Sequence, residues 1–210
     1  MPRPINADAA ATKQRILDSA LHMFADRGID GVSLRELAAD ARVSSAMIHH
    51  CFGGKDGLRE AAIDTMYGQL GSAVLELVQL LAPDKCHSPG EVFDRAVRYA
   101  FSFCRRHQSS VRLLMRDVVA NGELDARREA TTNGPFMDQI TTRLGQIIGT
   151  VPAGLLVPLH SYVTLVGRYA VSSDNELMRL TGATNIEEAE AAIEENLRQT
   201  VRLLMRLPSN

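Results

Sequence analysis

Along most of the chain, apolar residues recur three and four apart, the spacing of one face of an α-helix. From Thr12 onward, Ile16, Leu17, Ala20, Leu21 and Phe24 share such a face, and Gly28 follows as a C-terminal cap. Asp30-Gly31 makes a turn. Ser33 then opens a second helix, with Glu36 three residues on completing a capping box and Leu34, Leu37, Ala38 and Ala41 on its buried side. Ser44 caps a third, which runs to about His50 or Cys51 with Ile48 and Phe52 turned inward. Gly53-Gly54 ends it. Asp56 stands in the first turn of a fourth helix, where a carboxylate suits the helix dipole.

The fourth pattern continues through Ala62, Ile63, Met66, Leu70, Val74 and Leu77 until Pro83. Beyond the loop DKCHSPG, helices are expected over 91–107 and 109–120, around 123–130, over 136–148, in a stretch within 152–180, and over 185–207. The last carries Asn185 and Glu188 as a capping pair and a stripe of Ile186, Ala189, Ile193, Leu197, Val201 and Leu204. Acids crowd its start, and Arg198, Arg202 and Arg206 its end. No alternating strand pattern and no fixed-period repeat appears. The expected fold is all-α, with a long helix joining a three-helix head to a larger helical part.

Composition narrows the class. A hydrophobic content of 45% over 210 residues suits a globular chain with a sizeable core. The run LGQIIGTVPAGLLVPLHSYVTLVG is free of charge, but its prolines, glycines and polar residues fit a buried helix with its preceding loop better than a membrane span. No membrane partner is expected. Cys51, Cys86 and Cys104 are an odd set without a CxxC pair, and the start lacks an apolar leader, so a cytoplasmic setting is expected. Residues 1–59 hold eight Lys or Arg against seven acids, in a chain of net charge −2. Charge alone makes no case for nucleic acid.

The case comes from geometry. The second helix, the reversal at Arg42-Val43-Ser44 and the short third helix form a helix-turn-helix pattern. In that motif the second of the pair enters the major groove, and flanking amides, hydroxyls and cations hold phosphates. Ser33 and Ser44 cap helix starts whose free amides favour anions. Ser45, Ala46, Met47, His49 and His50 remain outward once Ile48 and Phe52 turn in. Lys55 begins the next helix as a point charge for phosphate. With Arg35 on the second helix, these form the candidate DNA-binding set.

The stretch ILDSALHMFADRGIDGVSLRELAADARVSSAMIHHCFGGKDGL resembles the amino-terminal domain of TetR-family transcriptional repressors. The shared features are Ala and Phe in the first helix, Gly before a turn, Ser starting the second helix, a Val-Ser turn, and Phe52 followed three residues later by Lys55. Three departures stand out. Arg42 occupies a usual glycine, His49 a frequent tyrosine, and Cys51 a position that is often aromatic. A left-handed backbone at Arg42 would cost on the order of 1 kcal/mol.

The resemblance implies a DNA-binding domain over 1–59 and a ligand-binding and dimerisation domain over 60–210. It further implies a homodimer on a near-palindromic operator of double-stranded DNA, repression by default, and release by a small effector. Candidate pocket residues are Phe101, Phe103, Cys104, Met115, Phe136, Met137, Ile140, Tyr162 and Tyr169, which suit an apolar ligand. Candidate dimer residues are Leu159, Val163, Val166, Ile193, Leu197, Val201 and Leu204. Another reading keeps the fold and drops DNA, leaving a dimeric ligand-binding or protein-interaction module. An enzyme is the rival class. Cys104 and His107 lie on one helix face, but no nucleophile motif, phosphate loop or HExxH accompanies them, so no catalytic residue, metal or cofactor is expected.

Overall fold

The computed structural model describes residues 5–81, 88–123, 125–128, 142, 145 and 156–204. Among these every regular element is helical, as the apolar spacing requires. In chain order they are α1 (Ile5–Arg27), α2 (Leu34–Asp40), α3 (Ser45–Phe52), α4 (Lys55–Leu80), α5 (Pro89–Arg106), α6 (Gln108–Asn121), α7 (Leu156–Ala170), α8 (Asp174–Thr181) and α9 (Ile186–Leu204). Of the helix expected over 136–148, only residues 142 and 145 are among the described residues, and both are helical. None of the described helices is long and apolar enough to cross a membrane.

Two compact units make up the described chain. One falls within 1–69 and 109–129, the other within 70–108 and 130–210. The first is built on α1. Its Ile16, Ala20, Leu21 and Phe24 meet Leu37 and Ala38 of α2, Ile48 of α3, and Leu58, Ala62 and Met66 of α4, with Leu113 of α6 closing the cluster. Phe24, Ile48 and Met66 have no exposed surface. Burying each contributes about 1.5–3 kcal/mol relative to leaving it in water.

α6 joins this unit through polar contacts as well as Leu113. Arg116 donates from Nε to the carbonyl of Ala25 and from a terminal nitrogen to that of Asp26, both at 2.7 Å. Those carbonyls sit in the last turn of α1, where no intrahelical donor remains. Ser110 donates to Gln69 at 2.6 Å. Arg128 completes the unit by pairing with Glu60 and Asp64 of α4 and with Asp125.

α1 starts earlier than its buried stripe, at Ile5 instead of near Thr12. Ala9, Ala10 and Ala11 are the strongest helix formers, and Asp8 suits the first turn, so propensity carries the helix upstream.

The second unit packs α5, α7, α8 and α9 around Phe93, Val97, Phe101, Tyr162, Val166, Leu177, Ile193 and Leu197. Arg105 is its polar hub. It pairs with Glu190 of α9 at 2.7 Å and Asp174 of α8 at 2.6 Å, and donates to the Ser172 carbonyl at 3.0 Å. The single stretch expected within 152–180 is two helices. Ser173 caps α8 by accepting from the Glu176 amide at 3.2 Å, and this Ser-x-x-Glu spacing was the missed signal. At the start of α9 Asn185 accepts from the Glu188 amide at 2.9 Å, while the Glu188 carboxylate turns to Thr184.

Candidate nucleic-acid interface

α2 begins with the capping box the sequence predicts. Ser33 Oγ accepts from the Glu36 amide and the Glu36 carboxylate accepts from the Ser33 amide. The Ser33 hydroxyl also donates to that carboxylate, at 2.6 Å. Arg27 donates to it from the end of α1, at 2.8 Å. The hydrogen bonds from Ser33, with the Arg27 charge behind them, hold the Glu36 carboxyl at about 2, well below its ordinary value.

The reversal that follows has a defined chemistry. Arg42 takes a left-handed backbone, φ 55°, unlike every other described non-glycine residue. Its amide donates to the Ala39 carbonyl at 3.1 Å, and the Val43 amide to that of Ala38 at 2.9 Å. Together these make a Schellman closure, which glycine ordinarily provides because it has no Cβ to strain. Half-buried Val43 then packs on the unit's core and directs the chain into α3.

α3 is capped by Ser44, whose Oγ accepts from the Met47 amide at 3.2 Å. No acidic residue lies in its first turn. Ile48 alone is buried. Ala46, Met47, His49 and His50 are exposed, and Ser45 is half-buried. The helix thus presents a nearly continuous outward face. It ends where Gly53 turns left-handed at φ 76°.

Gly57 sets the next corner. A Cβ there would lie 1.8 Å from the Phe52 carbonyl oxygen, so only glycine lets α4 start this close to the end of α3. Lys55, in the first turn of α4, is half-buried. Across the corner Lys13 of α1 places its Nζ 5.4 Å from the centre of the Phe52 ring, near enough for a cation–π attraction. Neither the charge pattern nor the helix pattern had singled out Lys13. Ser33, Arg35 and Ser44 are exposed, so the whole candidate DNA-binding set is accessible on one unit.

The candidate pocket residues fall in three places. Phe101, Tyr162, Cys104 and Tyr169 belong to the core of the second unit or pack on it. Phe103, also buried in that unit, lies with its ring 4.4 Å from that of His107. Met115 is in the first unit. There it lines a cleft of about 490 Å³ with Ile29, Asp30, Ile63, Met66 and Val119 among others. Phe136, Met137 and Ile140 lie outside the described residues.

Burial pushes the Cys104 thiol up to about 11, and burial with the neighbouring Arg106 lowers His107. Both effects oppose the thiolate–imidazolium state that a nucleophilic pair requires. No group of three metal-ligating side chains occurs among the described residues.

Of the candidate dimer residues, Val166, Ile193, Leu197 and Val201 lie in the second unit's own core, at 5% exposure or less. The stripe on α9 faces α5 and α7 of the same chain. Leu159 is half-buried, and Val163 and Leu204 keep exposed surface.

A short helix set rigidly across a capped turn, with its outward face free, is the helix-turn-helix head of nucleic-acid-binding proteins. Residues 16–62 match the family model described as bacterial regulatory proteins, tetR family. Among curated proteins, the "Probable HTH-type transcriptional regulator YttP" of Bacillus subtilis (strain 168) is 28% identical over 114 residues, 54% of this chain and 54% of that protein. The HTH-type nicotine-responsive transcriptional repressor HdnoR of Paenarthrobacter nicotinovorans is 33% identical over 66 residues, 31% of this chain and 34% of that protein. The chain thus spans about half the length of the first relative and about a third of the second. Among solved structures, AibR in complex with isovaleryl coenzyme A and operator DNA has a TM-score of 0.64 at 18% identity, over 92% of this chain and 98% of that one. That likeness concerns the fold. The likeness to the tetR family is carried by the amino-terminal head, residues 16–62.

Proposed function

We propose that the protein is a DNA-binding transcriptional regulator that acts as a repressor. Two copies bind a near-palindromic operator, and a small, predominantly apolar effector releases them. The observation that carries the reading is α3, which holds a single buried anchor, Ile48, and leaves Met47, His49 and His50 free to meet base edges. Ser44 and Lys55 flank that face as phosphate contacts. The Ser33 hydroxyl and amide are engaged by the Glu36 carboxylate, so the acid-free start of α3 is the better anion site of the two helix starts.

One head reads too few base pairs for useful specificity, which is the physical reason for a twofold dimer. Exposed Val157 and Val163 on α7 and Leu203 and Leu204 on α9 are apolar side chains with surface to bury between copies. The effector must bind the low-affinity form of the dimer more tightly, since equal affinity shifts nothing. The solved structure holding isovaleryl coenzyme A with operator DNA, and the relative named as nicotine-responsive, support an effector of small-molecule size.

The test is binding to a fluorescent mixed-sequence duplex at two salt concentrations. Affinity should fall steeply as salt rises, because each phosphate contact releases counterions. A folded protein that binds no duplex at low salt contradicts the proposal.

A further inference from the structure

The ammonium of Lys13 is held by an aromatic ring. Its Nζ stands 5.4 Å from the centre of the Phe52 ring, which joins the exposed side of α1 to the last residue of α3. Two other cations of the same unit are engaged by acids: Arg27 pairs with Glu36 at 2.8 Å and Arg59 with Glu60 at 3.5 Å. A carboxylate neutralises the cation it meets. A ring face attracts an ammonium and leaves its full charge in place. The N–H donors turned away from the ring stay open to a second acceptor. Lys13 is exposed, so such an acceptor can reach it.

Phe52 places that cation at one end of the reading helix. Ser45, His49 and Phe52 follow one another at four and three residues along α3 and so form a single strip. The strip begins next to the Ser44 cap and ends beside Lys13. Lys55 stands three residues beyond Phe52, in the first turn of α4, on a corner that Gly57 keeps tight. The eight residues of α3 measure about 12 Å along the axis, which matches the major groove, also about 12 Å wide. A helix of that length, set in the groove, reaches from one sugar–phosphate strand to the other. Ser44 then meets one strand, and the corner holding Lys13 and Lys55 meets its opposite.

We infer that Lys13 is a phosphate-contacting residue of the DNA interface, acting with Lys55 at the α3–α4 corner on one backbone strand. The inference rests on the DNA-binding reading above and adds to it a contact from α1, a helix outside the helix-turn-helix pair. A phosphate contact carries no base information, so Lys13 acts on affinity for all sequences alike.

Binding of the full chain to a fluorescent mixed-sequence duplex is followed between about 50 and about 200 mM salt, in wild type, Lys13→Gln, Lys13→Arg and Arg15→Gln. Arg15 lies two residues on, on another side of α1, with its guanidinium donating to Thr12 Oγ1 at 3.4 Å. Arg15→Gln therefore removes the same charge away from the corner. Lys13→Gln should flatten the slope of log K against log salt by about one ion, so that the advantage of wild type shrinks about threefold across that range. Lys13→Arg and Arg15→Gln should keep the wild-type slope, and every variant should melt with wild type. An unchanged slope in Lys13→Gln overturns the inference. So does a Lys13→Arg slope as flat as that of Lys13→Gln, or an equal loss in Arg15→Gln, which would assign the effect to overall charge.

If Lys13→Gln melts lower, wild type alone decides. The chain has three lysines, Lys13, Lys55 and Lys85, so acetylation of each amine can be followed by mass spectrometry. Saturating duplex should slow the reaction at Lys13, and an unslowed Lys13 overturns the assignment. A folded wild type that binds no duplex would defeat the DNA-binding reading itself. Duplex binding with an unchanged slope in Lys13→Gln would defeat the Lys13 contact alone.

Discussion

Ser33 and Glu36 secure the start of α2 by bonding to each other in both directions. The Ser33 amide donates to the Glu36 carboxylate at 2.8 Å and the Glu36 amide donates to Ser33 Oγ at 3.2 Å. The Ser33 hydroxyl, the Ser33 amide and Arg27, all donating to the carboxylate, lower its pKa from 4.5 to about 2. A depressed folded-state value means the interaction stabilises fully above the unfolded value and is lost as pH falls from there through about 2. Carboxyl ¹³C shifts should show Glu36 titrating near pH 2, and the Tm gap between wild type and Glu36→Gln should narrow over the same window. A midpoint at the ordinary carboxylate value would mean the box is not formed in solution.

Arg42 carries a Cβ into a left-handed turn. Arg42→Gly should therefore raise stability by about 0.5–1 kcal/mol, after the entropy glycine adds to the unfolded chain is deducted. Arg42→Ala is the control, since it removes the guanidinium and keeps the Cβ. Equal effects of the two in denaturant unfolding would assign the gain to charge and not to backbone.

Gly57 admits no side chain against the Phe52 carbonyl. Gly57→Ala should cost at least about 2 kcal/mol and move α3 relative to α4. If α3 reads DNA as proposed, its shift as a body should lower DNA affinity for every sequence tested. A variant as stable as wild type would show that the corner is looser than drawn here.

Base readout and phosphate contact separate by mutation. Lys55→Ala should weaken all duplexes alike and reduce the slope of log K against log salt by about one ion. Met47→Ala and His50→Ala should change preference at particular base pairs, by about 1–3 kcal/mol each. Should these two weaken all sequences evenly, the outward face of α3 is not the reading face.

Exposed and buried apolar residues of the second unit should behave differently. Val163→Glu with Leu204→Glu should lower the mass seen in sedimentation toward that of one chain while the fold persists. Ile193→Ala should instead destabilise by about 2–5 kcal/mol as a core cavity. Unchanged association in the double variant would place the dimer contact elsewhere.

Much of the head was legible because its signals are local. Ser33-Glu36, Ser44, Gly53 and the stripe from Ile16 to Phe24 each act within a turn or two of chain, and α2 and α3 start and stop as those residues specify. The early start of α1 is not marked by its buried stripe, since alanine-rich turns extend a helix without burying anything. The break between α7 and α8 was readable at Ser173 and Glu176 but lay inside a long apolar pattern.

Tertiary contacts were a different matter. Arg116 on the carbonyls of Ala25 and Asp26 and Lys13 on Phe52 join residues far apart in sequence. No periodicity marks such relations. The same limit explains the dimer residues, because a stripe specifies that a face is buried and not what buries it.

α3 is proposed to read DNA in a twofold arrangement. Selection of bound duplexes from a random pool by the purified protein, at moderate and raised salt, tests it most directly. The expected outcome is an inverted repeat whose half-sites lie about one helical turn, or a multiple of it, apart, with enrichment that persists as salt strips non-specific binding away. A pool that shows no motif, from a protein confirmed folded and dimeric in the same buffer, would contradict it.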